Sequence, residues 1–504
     1  MNTILILMDS MRRDHLGCYS LSRPDTPNID RFSNTATVFE RSYIGSYPCM
    51  PARHDLWTGQ LNFLRRGWSP LEYDQPDLVT LLSQSGVRTS LITDHYHYWQ
   101  YGSGNYFQSF NSVDLVRGQE KDNFKTGNND KVEFPAKAEK LNPDWHRYYM
   151  NIKDNKSEDD YFTARVFNSS MRWLEENHDQ GDFFMMIDCF DPHEPFDPPL
   201  EYARKFLPEG WEELIKWPCY GNADRFSKHD LEIIHGLYCG EISFLDHCFG
   251  KFYRKLEQLN LLDDTTIILT ADHGLLFGEH NWIGKHSRIL FNDICTTPLI
   301  IYNKSLGSGR NSSLVQMSDI MPTILDIMGV EKPDGIQGKS LAPIWDQKLR
   351  NNEDILHRDA ILFGVFGGAV YCTDGDYVFI KKPNETNSPL YWYTRSHFNN
   401  WDFGQINYWR DSIKRIEQFD GRRFPVQYKN AHPRHAAPEF SDEKSKYASG
   451  VDSCDELYDT ANDYAQTHNL VSEKPEKTRY FKNIMKRLMV EFDAPAEQFE
   501  RLGL

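Results

Sequence analysis

Four short apolar runs along the chain each end at an aspartate. The runs cover residues 3–8, 89–93, 183–187 and 266–271, and the aspartates that end them are Asp9, Asp94, Asp188 and Asp272. Strands buried on both faces of a parallel sheet are continuously apolar, so each run predicts a central strand. Ligands of open α/β sheets collect at the carboxyl ends of the strands. We therefore expect these aspartates to lie close to a functional site.

Helical patterns alternate with these runs. Residues 158–177 and 228–259 place apolar side chains three and four positions apart, which is typical of an amphipathic helix. The alternation predicts an α/β fold with a large, mixed, mostly parallel sheet flanked by helices. Beyond residue 365, a hairpin over 369–381 and a helix over 476–492 are predicted. We expect a large catalytic domain over 1–365 and a smaller C-terminal α+β domain with an antiparallel sheet over 366–504.

Two stretches depart from this alternation, at about 103–157 and about 383–450. The first is polar and rich in Lys, Asp and Asn, and the second mixes aromatic and basic residues densely. Loops of such length are usually functional or disordered, and numerous aromatics argue against disorder. We predict insertions that cover the mouth of the site or form an oligomer contact. The aromatics of 391–409 would stack on a sugar or aryl ring, or pack in a subunit contact, and both interpretations stay open.

Charge and cysteine usage restrict the partners. The net charge of −17 over 504 residues disfavours binding to nucleic acid or to anionic membranes, so an anionic substrate needs a local cluster of cations. The nine cysteines are scattered without a Cys-x-x-Cys pair, which disfavours a zinc knuckle and fits a reducing compartment. No signal-peptide pattern and no apolar stretch of bilayer length is seen. We expect a cytoplasmic protein with neither nucleic-acid nor membrane partners.

Two groups of residues carry candidate chemistry. In Cys49-Met50-Pro51-Ala52-Arg53, the cysteine stands at the predicted start of a helix, where the helix N-terminus and a nearby cation would favour a thiolate. Asp272-His273-Gly274 follows one predicted strand, and Asp9 follows another. Two carboxylates and an imidazole at adjacent strand ends can hold one divalent cation. The oxygens suit Ca²⁺, Mg²⁺ or Mn²⁺, and the imidazole shifts the preference slightly towards a transition metal.

These motifs resemble those of a known family. The segment 49–53, with Thr58-Gly59 after it, is similar to the maturation site of sulfatases, Cys-x-Pro-x-Arg. The segment 272–286, Asp-His-Gly-x-x-x-Gly-Glu-His-x-Trp-x-Gly-Lys-His, is similar to the second sulfatase signature. Further matching pieces, in the family's order, are 17–19, 26–31, 191–195, 456–459 and 469–470. The chain is identified as a member of the sulfatase branch of the alkaline-phosphatase-like superfamily.

The resemblance implies a mechanism and a role for each matching residue. A formylglycine-generating enzyme would oxidise Cys49 to 3-oxoalanine (formylglycine), whose hydrate attacks a sulfate ester. Arg53 would hold this hydrate, Lys285 would bind a nonbridging sulfate oxygen, and His193 would contact the sulfate and the leaving oxygen. The resemblance also implies one bound divalent cation, with Ca²⁺ preferred and Mn²⁺ or Mg²⁺ as alternatives. Its implied ligands are Asp9, the modified Cys49, Asp272 and His273.

The chain departs from the sulfatase pattern at two places. Ser10 follows Asp9 where most sulfatases have a second acid, so the cation site has one carboxylate fewer. Asp94-His95-Tyr96-His97 replaces the family's Gly-Lys-x-His. His97 then falls at the position of the family's base, and His95 takes the place of the substrate-binding lysine, although it is only partly cationic at neutral pH. Phosphonate monoester hydrolases lack the same acid and lysine.

The sequence is compatible with three functions. We favour a sulfuric ester hydrolase that forms a covalent sulfo-enzyme on a small-molecule or sugar sulfate. A phosphonate monoester or phosphodiester hydrolase on the same site is the alternative. The third is a non-catalytic protein that binds sulfated ligands and keeps Cys49 unmodified. The alcohol part of the substrate and the oligomeric state are not determined by the sequence.

Overall fold

The computed structural model describes most of the chain. The described residues are 1–20, 24–72, 75–100, 103–128, 131–285, 290–345, 356–394, 413–416, 426–430 and 454–504, with the backbone alone for 413–416 and 426–430.

The strands and helices of the described residues alternate along the first three hundred positions. The strands are β1 (Asn2–Met8), β2 (Thr37–Tyr43), β3 (Arg88–Thr93), β4 (Ser112–Leu115), β5 (Phe183–Cys189), β6 (Gly221–Asn222), β7 (Thr265–Ala271), β8 (Leu276–Phe277), β9 (Trp282–Gly284), β10 (Leu299–Tyr302), β11 (Gly309–Gln316), β12 (Ile361–Gly364), β13 (Val370–Thr373), β14 (Tyr377–Lys381), β15 (Tyr391–Thr394), β16 (Ile413–Ile416), β17 (Val426–Asn430) and β18 (Glu456–Asp459). The helices are α1 (Pro27–Ser33), α2 (Cys49–Thr58), α3 (Leu78–Gln84), α4 (Trp145–Ile152), α5 (Phe162–Asn177), α6 (Leu200–Ala203), α7 (Lys228–Gln258), α8 (Asn292–Cys295), α9 (Ile320–Met328), α10 (Ala342–Trp345), α11 (Pro475–Glu491) and α12 (Ala496–Leu502).

The large sheet has eight strands in the order β11-β2-β10-β7-β1-β5-β3-β4. Strands β7, β1, β5, β3 and β4 are parallel, and β10 is antiparallel to both of its neighbours. The predicted mixed, mostly parallel sheet is therefore confirmed. In the register of β1, Met8 lies beside Cys189 of β5 and beside Ala271 of β7. This register brings the carboxyl ends of three central strands together at one edge of the sheet.

Alternate residues of β1 face two separate apolar clusters. Ile4, Ile6 and Met8 lie in the cluster that includes α5 and α7. Leu5 and Leu7 lie in the cluster that includes α2 and α9. Successive side chains of a strand point to opposite faces, so a continuously apolar strand needs helices on both sides. This arrangement explains why the central runs showed no polar alternation.

The C-terminal region forms an antiparallel sheet in the order β12-β13-β14-β18, as expected. The predicted hairpin consists of β13 and β14, and α11 covers the sheet with Phe481 and Met485 buried against it. Residues of this sheet also share an apolar cluster with the large sheet, so the two regions meet through a common core. The boundary at 365/366 stays a prediction.

The predicted aromatic segment is only partly described. Trp392 and Tyr393 of β15 are buried, with the Trp392 ring 5.1 Å from that of Phe366 and the Tyr393 hydroxyl donating to Glu497 at 2.9 Å. These two aromatics belong to the core of the described molecule. The positions 395–409 lie outside the described residues, so the stacking and subunit-contact interpretations stay predictions there. Among the helices that the structure describes, none has the length and apolar character to cross a bilayer, and the cytoplasmic location stays a prediction.

Candidate active site

Four buried side chains converge at the edge where the central strands end. Asp9 follows β1, Asp272 and His273 follow β7, and Cys49 is the first residue of α2. Their ligand atoms all lie within 4.8 Å of one another, and we call these four residues the cation cluster. The Cys49 sulfur lies 3.3 Å from Nε2 of His273 and 3.8 Å from Oδ1 of Asp9. The predicted ligand set is therefore brought together.

The electrostatics of this cluster suit a divalent cation. Burial alone would raise the pKa of Asp9, but Arg53, His193 and His95 hold that pKa well below its ordinary value. Burial and the adjacent Asp9 charge raise the pKa of Asp272 well above its ordinary value. Burial, aided by Lys285, lowers the pKa of His273 to about 3, which leaves the neutral imidazole that metals require. The hydrogen bond between His273 Nδ1 and the Gly274 carbonyl, at 3.0 Å, directs Nε2 towards the cluster.

Arg53 lies one helical turn after Cys49 and joins three strand ends. Its guanidinium donates to both oxygens of Asp188 at 2.8 and 2.7 Å, to Asp272 at 2.7 Å and to Asp9 at 3.1 Å. It also donates to the Cys49 carbonyl oxygen at 3.2 Å. A planar guanidinium with several donors can pair with several carboxylates at once, which an ammonium cannot do in this geometry. Arg53 thus holds the carboxylates of the site in fixed positions.

Asp188 has a part in the site that the sequence analysis did not assign. Besides its bidentate pair with Arg53, it accepts a hydrogen bond from the Tyr98 hydroxyl at 2.6 Å. The signal for Asp188 was its place at the end of an apolar run. Asp94 shared that signal, but the expectation that all four aspartates converge was wrong for Asp94. Its carboxyl instead accepts from the Phe190 amide at 2.7 Å and from Gln119 at 3.0 Å.

Lys285 and His193 lie on the other side of the Cys49 sulfur. The Lys285 ammonium is 2.9 Å from that sulfur and 2.7 Å from Nε2 of His193. His193 Nδ1 faces the Glu194 carbonyl oxygen at 2.6 Å, so Nδ1 carries the proton and Nε2 accepts from Lys285. Burial and the Lys285 charge lower the pKa of His193 well below its ordinary value. Cys49, Lys285 and His193, which the resemblance put together, are in contact.

The two departures from the sulfatase pattern both touch Asp9. His95 is fully buried, and its Nε2 lies 2.8 Å from Oδ2 of Asp9. The Ser10 hydroxyl donates to Oδ1 of Asp9 at 2.8 Å, and the Ser10 amide donates to Asp272 at 2.9 Å. Each oxygen of Asp9 therefore accepts a hydrogen bond from one of the two departing residues. In this geometry His95 orients Asp9, which differs from the substrate contact that the resemblance implied.

His97 faces a cavity that opens beside the site. Its Nε2 is buried and has no hydrogen-bond partner among the described residues, while its Nδ1 bonds to Gln100. Its ring centroid lies 6.3 Å from that of His193. A buried imidazole nitrogen without a partner is costly unless a ligand or water completes it. The cavity beside it supplies room for that ligand.

We call this cavity, of about 280 Å³, the substrate pocket. Its lining residues are Tyr96, His97, Gln100, Glu120, Lys121, Asn142, His193, Glu194, Trp217, Cys219 and Tyr220. Glu120, Lys121 and Asn142 come from the 103–157 stretch, which was expected over the mouth of the site. Burial raises the pKa of Glu194 to about 7, and the Tyr220 hydroxyl donates to it. Sequence reasoning did not single out Glu120, Trp217 or Tyr220, because nothing local distinguishes them.

Other pieces of the family pattern have structural contacts. Asp30 accepts hydrogen bonds from the Cys18 amide at 2.9 Å and from the Thr26 hydroxyl at 3.0 Å. The Leu457 amide of β18 donates to the Asn469 side chain at 3.0 Å. These hydrogen bonds hold the loops around α1 and β18 in place. His286, the last residue of the second signature, lies outside the described residues.

Comparisons with known proteins agree with this geometry. A family model described as Sulfatase matches residues 1–330. The chain belongs to the sulfatase family. A curated arylsulfatase of Clostridium perfringens is 24% identical over 399 residues, covering 71% of this chain and 80% of that protein. An N-acetylglucosamine-6-O-sulfatase of Bacteroides thetaiotaomicron is 24% identical over 481 residues, covering 85% of this chain and 82% of that protein.

A solved structure extends the likeness to the whole fold. The phosphonate monoester hydrolase of Agrobacterium radiobacter matches with a TM-score of 0.68 at 18% identity, covering 97% of this chain and 96% of that one. The predicted alkaline-phosphatase-like fold and the family resemblance are both confirmed. The family is one of sulfuric ester hydrolases, and a fold shared with a phosphonate hydrolase leaves the choice of substrate to the site.

Proposed function

We propose that this sulfatase hydrolyses the sulfate ester of a small sugar, using 3-oxoalanine made from Cys49 and one divalent cation, Ca²⁺ in the first instance. The observation that carries the proposal is the convergence of the Cys49 sulfur, the Lys285 ammonium and His193 beside the cation cluster. Two carboxylates and a neutral imidazole beside Cys49 are a donor set that fits such a cation. A cation bound there would supply positive charge against the negative charge that develops on the sulfate oxygens.

The proposed nucleophile is the hydrate of 3-oxoalanine at the fully buried position 49. The hydrate of 3-oxoalanine supplies one hydroxyl for attack on sulfur and a second whose deprotonation releases sulfate and restores the aldehyde. Arg53 holds the helix start in place through the Cys49 carbonyl oxygen and fixes the Asp9 and Asp272 carboxylates beside it. A partner enzyme that performs the oxidation belongs to the proposal.

Lys285 and His193 have different proposed roles: Lys285 binds the sulfate group, and His193 donates a proton to the leaving oxygen. The ammonium of Lys285 is positioned to pair with a nonbridging sulfate oxygen, because it already lies 2.9 Å from the Cys49 sulfur. In the resting site His193 Nε2 accepts a hydrogen bond from the Lys285 ammonium, which can pass it a proton, and His193 lies next to the substrate pocket. A proton held at this nitrogen can pass to the departing alkoxide oxygen. His97, whose Nε2 faces the same space, is the proposed base that takes the proton of the second hydroxyl.

The lining of the substrate pocket supports a sugar as the alcohol part. Trp217, Tyr96 and Tyr220 offer ring faces, and Glu120 and Asn142 offer groups that bind hydroxyls. Its volume of about 280 Å³ lies near the lower end for ligand pockets, which suits one sugar ring. The name of the N-acetylglucosamine-6-O-sulfatase relative points to the same substrate class.

A phosphonate monoester or phosphodiester hydrolase is the second candidate. The observation in its favour is Ser10, which donates hydrogen bonds to Asp9 and Asp272 where a second acid would add negative charge. With fewer carboxylates, the net charge around the cation is more positive. The fold shared with a phosphonate monoester hydrolase is compatible with this candidate but does not favour it over a sulfatase.

The deciding experiment compares an aryl sulfate with the matching aryl phosphonate monoester. The enzyme is prepared with conversion at Cys49 confirmed by peptide mass, and Ca²⁺ and Mn²⁺ are assayed in parallel. We expect kcat/KM for the sulfate to be larger by orders of magnitude, and glucosamine sulfates to be turned over as well. A preference for the phosphonate would replace the proposal with the second candidate. If Cys49→Ala still turned over both substrates, both candidate functions would be overturned.

A further inference from the structure

A second group of potential metal ligands lies away from the cation cluster. His15 ends the short helical turn Arg13–His15 after β1, and His235 and Cys239 stand four residues apart on α7. Residues at this spacing share one face of a helix. The ligand atoms of the three side chains all lie within 4.8 Å of one another. None of the three has a part in the proposed reaction.

Two of the three distances between the ligand atoms can be compared directly with those around a tetrahedral zinc ion. Zn–N bonds of about 2.05 Å and a Zn–S bond of about 2.3 Å place neighbouring N and S atoms about 3.6 Å apart, and two N atoms about 3.3 Å apart. The Cys239 sulfur lies 3.7 Å from His235 Nε2. The two Nε2 atoms of His15 and His235 are 2.8 Å apart and would separate by about half an ångström.

The surroundings prepare both imidazoles as ligands. Nδ1 of His15 lies 2.9 Å from the Asp14 carboxylate, which Arg12 holds through two hydrogen bonds at 2.9 and 2.7 Å. A carboxylate on Nδ1 fixes the proton there and directs the Nε2 lone pair outward, as in many zinc sites. Burial lowers the pKa of His235 to about 4, so its ring is neutral at pH 7. His235 is only half-buried, which gives an ion a path to the site.

We propose that His15, His235 and Cys239 form a binding site for one Zn²⁺ ion, with water as the fourth ligand. Binding replaces the hydrogen bond between the two imidazoles with two Zn–N bonds, moves the His235 proton to Nδ1 and releases the Cys239 thiol proton to solvent. A donor set of two imidazoles and one thiolate selects a borderline metal such as zinc and disfavours Ca²⁺ or Mg²⁺. The site therefore differs in metal preference from the cation cluster.

The position of the site gives it a structural consequence. The segment between Asp9 and His15 is already attached to α7 through Tyr238, whose hydroxyl accepts from the Arg12 amide and donates to the Ser10 carbonyl, both at 2.8 Å. A zinc ion between His15 and α7 would add a second link between that segment and the helix. Because an ion that binds only the folded state stabilises it, zinc is expected to raise the melting temperature.

The test uses the full-length Cys49→Ala variant, in which Cys49 cannot contribute a thiolate. After removal of metals by a chelator and saturation with Ca²⁺, the protein is titrated with Co²⁺ as a spectroscopic probe and with Zn²⁺ in competition with a chromophoric chelator. We expect one equivalent of Co²⁺ to give an intense near-ultraviolet thiolate-to-metal band with visible bands of tetrahedral strength. Absence of the thiolate band in this parent variant would overturn the proposal.

Matched second substitutions locate the thiolate. Cys239→Ala is expected to abolish the near-ultraviolet band, and His235→Ala to weaken zinc binding at least tenfold. Cys248→Ala, nine residues further along α7 and also buried, should leave both unchanged. Equal band intensities in the Cys239 and Cys248 variants would also overturn the proposal. Should the alanine variant lose the circular dichroism of the parent, Cys239→Ser repeats the comparison with nearly the same side-chain volume.

Discussion

The cation cluster and the substrate pocket adjoin each other but are built from different parts of the chain. The cluster comes from strand ends and the first turn of α2, and all four of its side chains are fully buried. The pocket is lined by residues from connecting segments, among them Glu120, Lys121 and Trp217. Strand ends are held by the hydrogen bonds of the sheet, whereas connecting segments vary more freely in length and sequence. The difference suggests that the reaction depends on the first region and the choice of alcohol on the second.

The largest expected effect tests the cluster side of this comparison. Cys49→Ala should abolish turnover of every substrate, because no hydrate can form, while the fold survives the loss of one sulfur atom. Turnover and the thermal unfolding transition are measured on the same preparation. Cys372→Ala, at a buried cysteine of β13 whose apolar cluster does not include Cys49, is the control and should retain activity. Activity in the Cys49 variant would rule out the covalent mechanism.

Replacement of His193 tests the residue that links the two regions. His193→Ala should lower kcat/KM by roughly 10²–10⁴ for sugar sulfates, whose alkoxide leaving group needs a proton. The loss should be much smaller for an activated aryl sulfate, whose phenolate departs without one. The ratio of the two losses is the readout. Equal losses on both substrates would assign His193 to binding alone.

Two strand-end aspartates provide a matched pair within one sheet edge. Asp188→Asn removes the charge of the bidentate partner of Arg53. We expect it to lower kcat about 10- to 100-fold for the same substrate, which corresponds to about 1.4–2.7 kcal/mol of activation free energy. Asp94→Asn should change kcat less than about twofold, because burial and the Asp191 charge raise the pKa of Asp94 to about 8 and keep it neutral near pH 7. Similar losses in the two variants would contradict the assigned difference.

Asp94 gives the stability of the fold a pH dependence with a defined sign. A carboxyl group whose pKa is raised in the folded state binds its proton more tightly there, so its stabilising contribution falls as pH rises towards the folded pKa. For Asp94 this loss should run from about pH 4 to about pH 8. Urea unfolding of Asp94→Asn relative to the parent should therefore shift in favour of the variant between pH 6 and pH 9. A difference that does not change with pH would exclude the raised pKa.

The smallest expected effect concerns the substrate pocket. Glu120→Gln should lower kcat/KM about tenfold for a glucosamine sulfate, through loss of a charged hydrogen bond to the ring, and should leave a small aryl sulfate within about twofold. Asn142→Ala provides a second substitution in the same stretch, with a smaller loss expected on the sugar. If kcat/KM fell equally for aryl and sugar substrates, Glu120 would act in the reaction itself, and the proposed division between the two regions would be wrong.

The sequence by itself determined the sheet, the family and most of the cation cluster. Continuous apolar runs report burial on both faces, and the runs before Asp9 and Asp272 predicted β1 and β7 within a residue or two. The motif around Cys49 could be recognised from the sequence alone, because all of its residues lie within one short segment. Asp188 and Asp94 looked alike in sequence because each follows the same kind of run.

Only the tertiary structure decided which side chains meet. Asp188 pairs with Arg53 and Asp94 does not, because the partner of Asp188 in the register of β3 is Thr93, and Asp94, one residue further, points to the opposite face. His95 joins Asp9, and not the substrate pocket, through a turn whose direction the sequence pattern does not specify. Glu120 lines the same pocket as Trp217 and Tyr220, although it lies about a hundred positions before them in the sequence. Contacts between distant segments depend on how the loops return over the sheet, and no local pattern encodes that path.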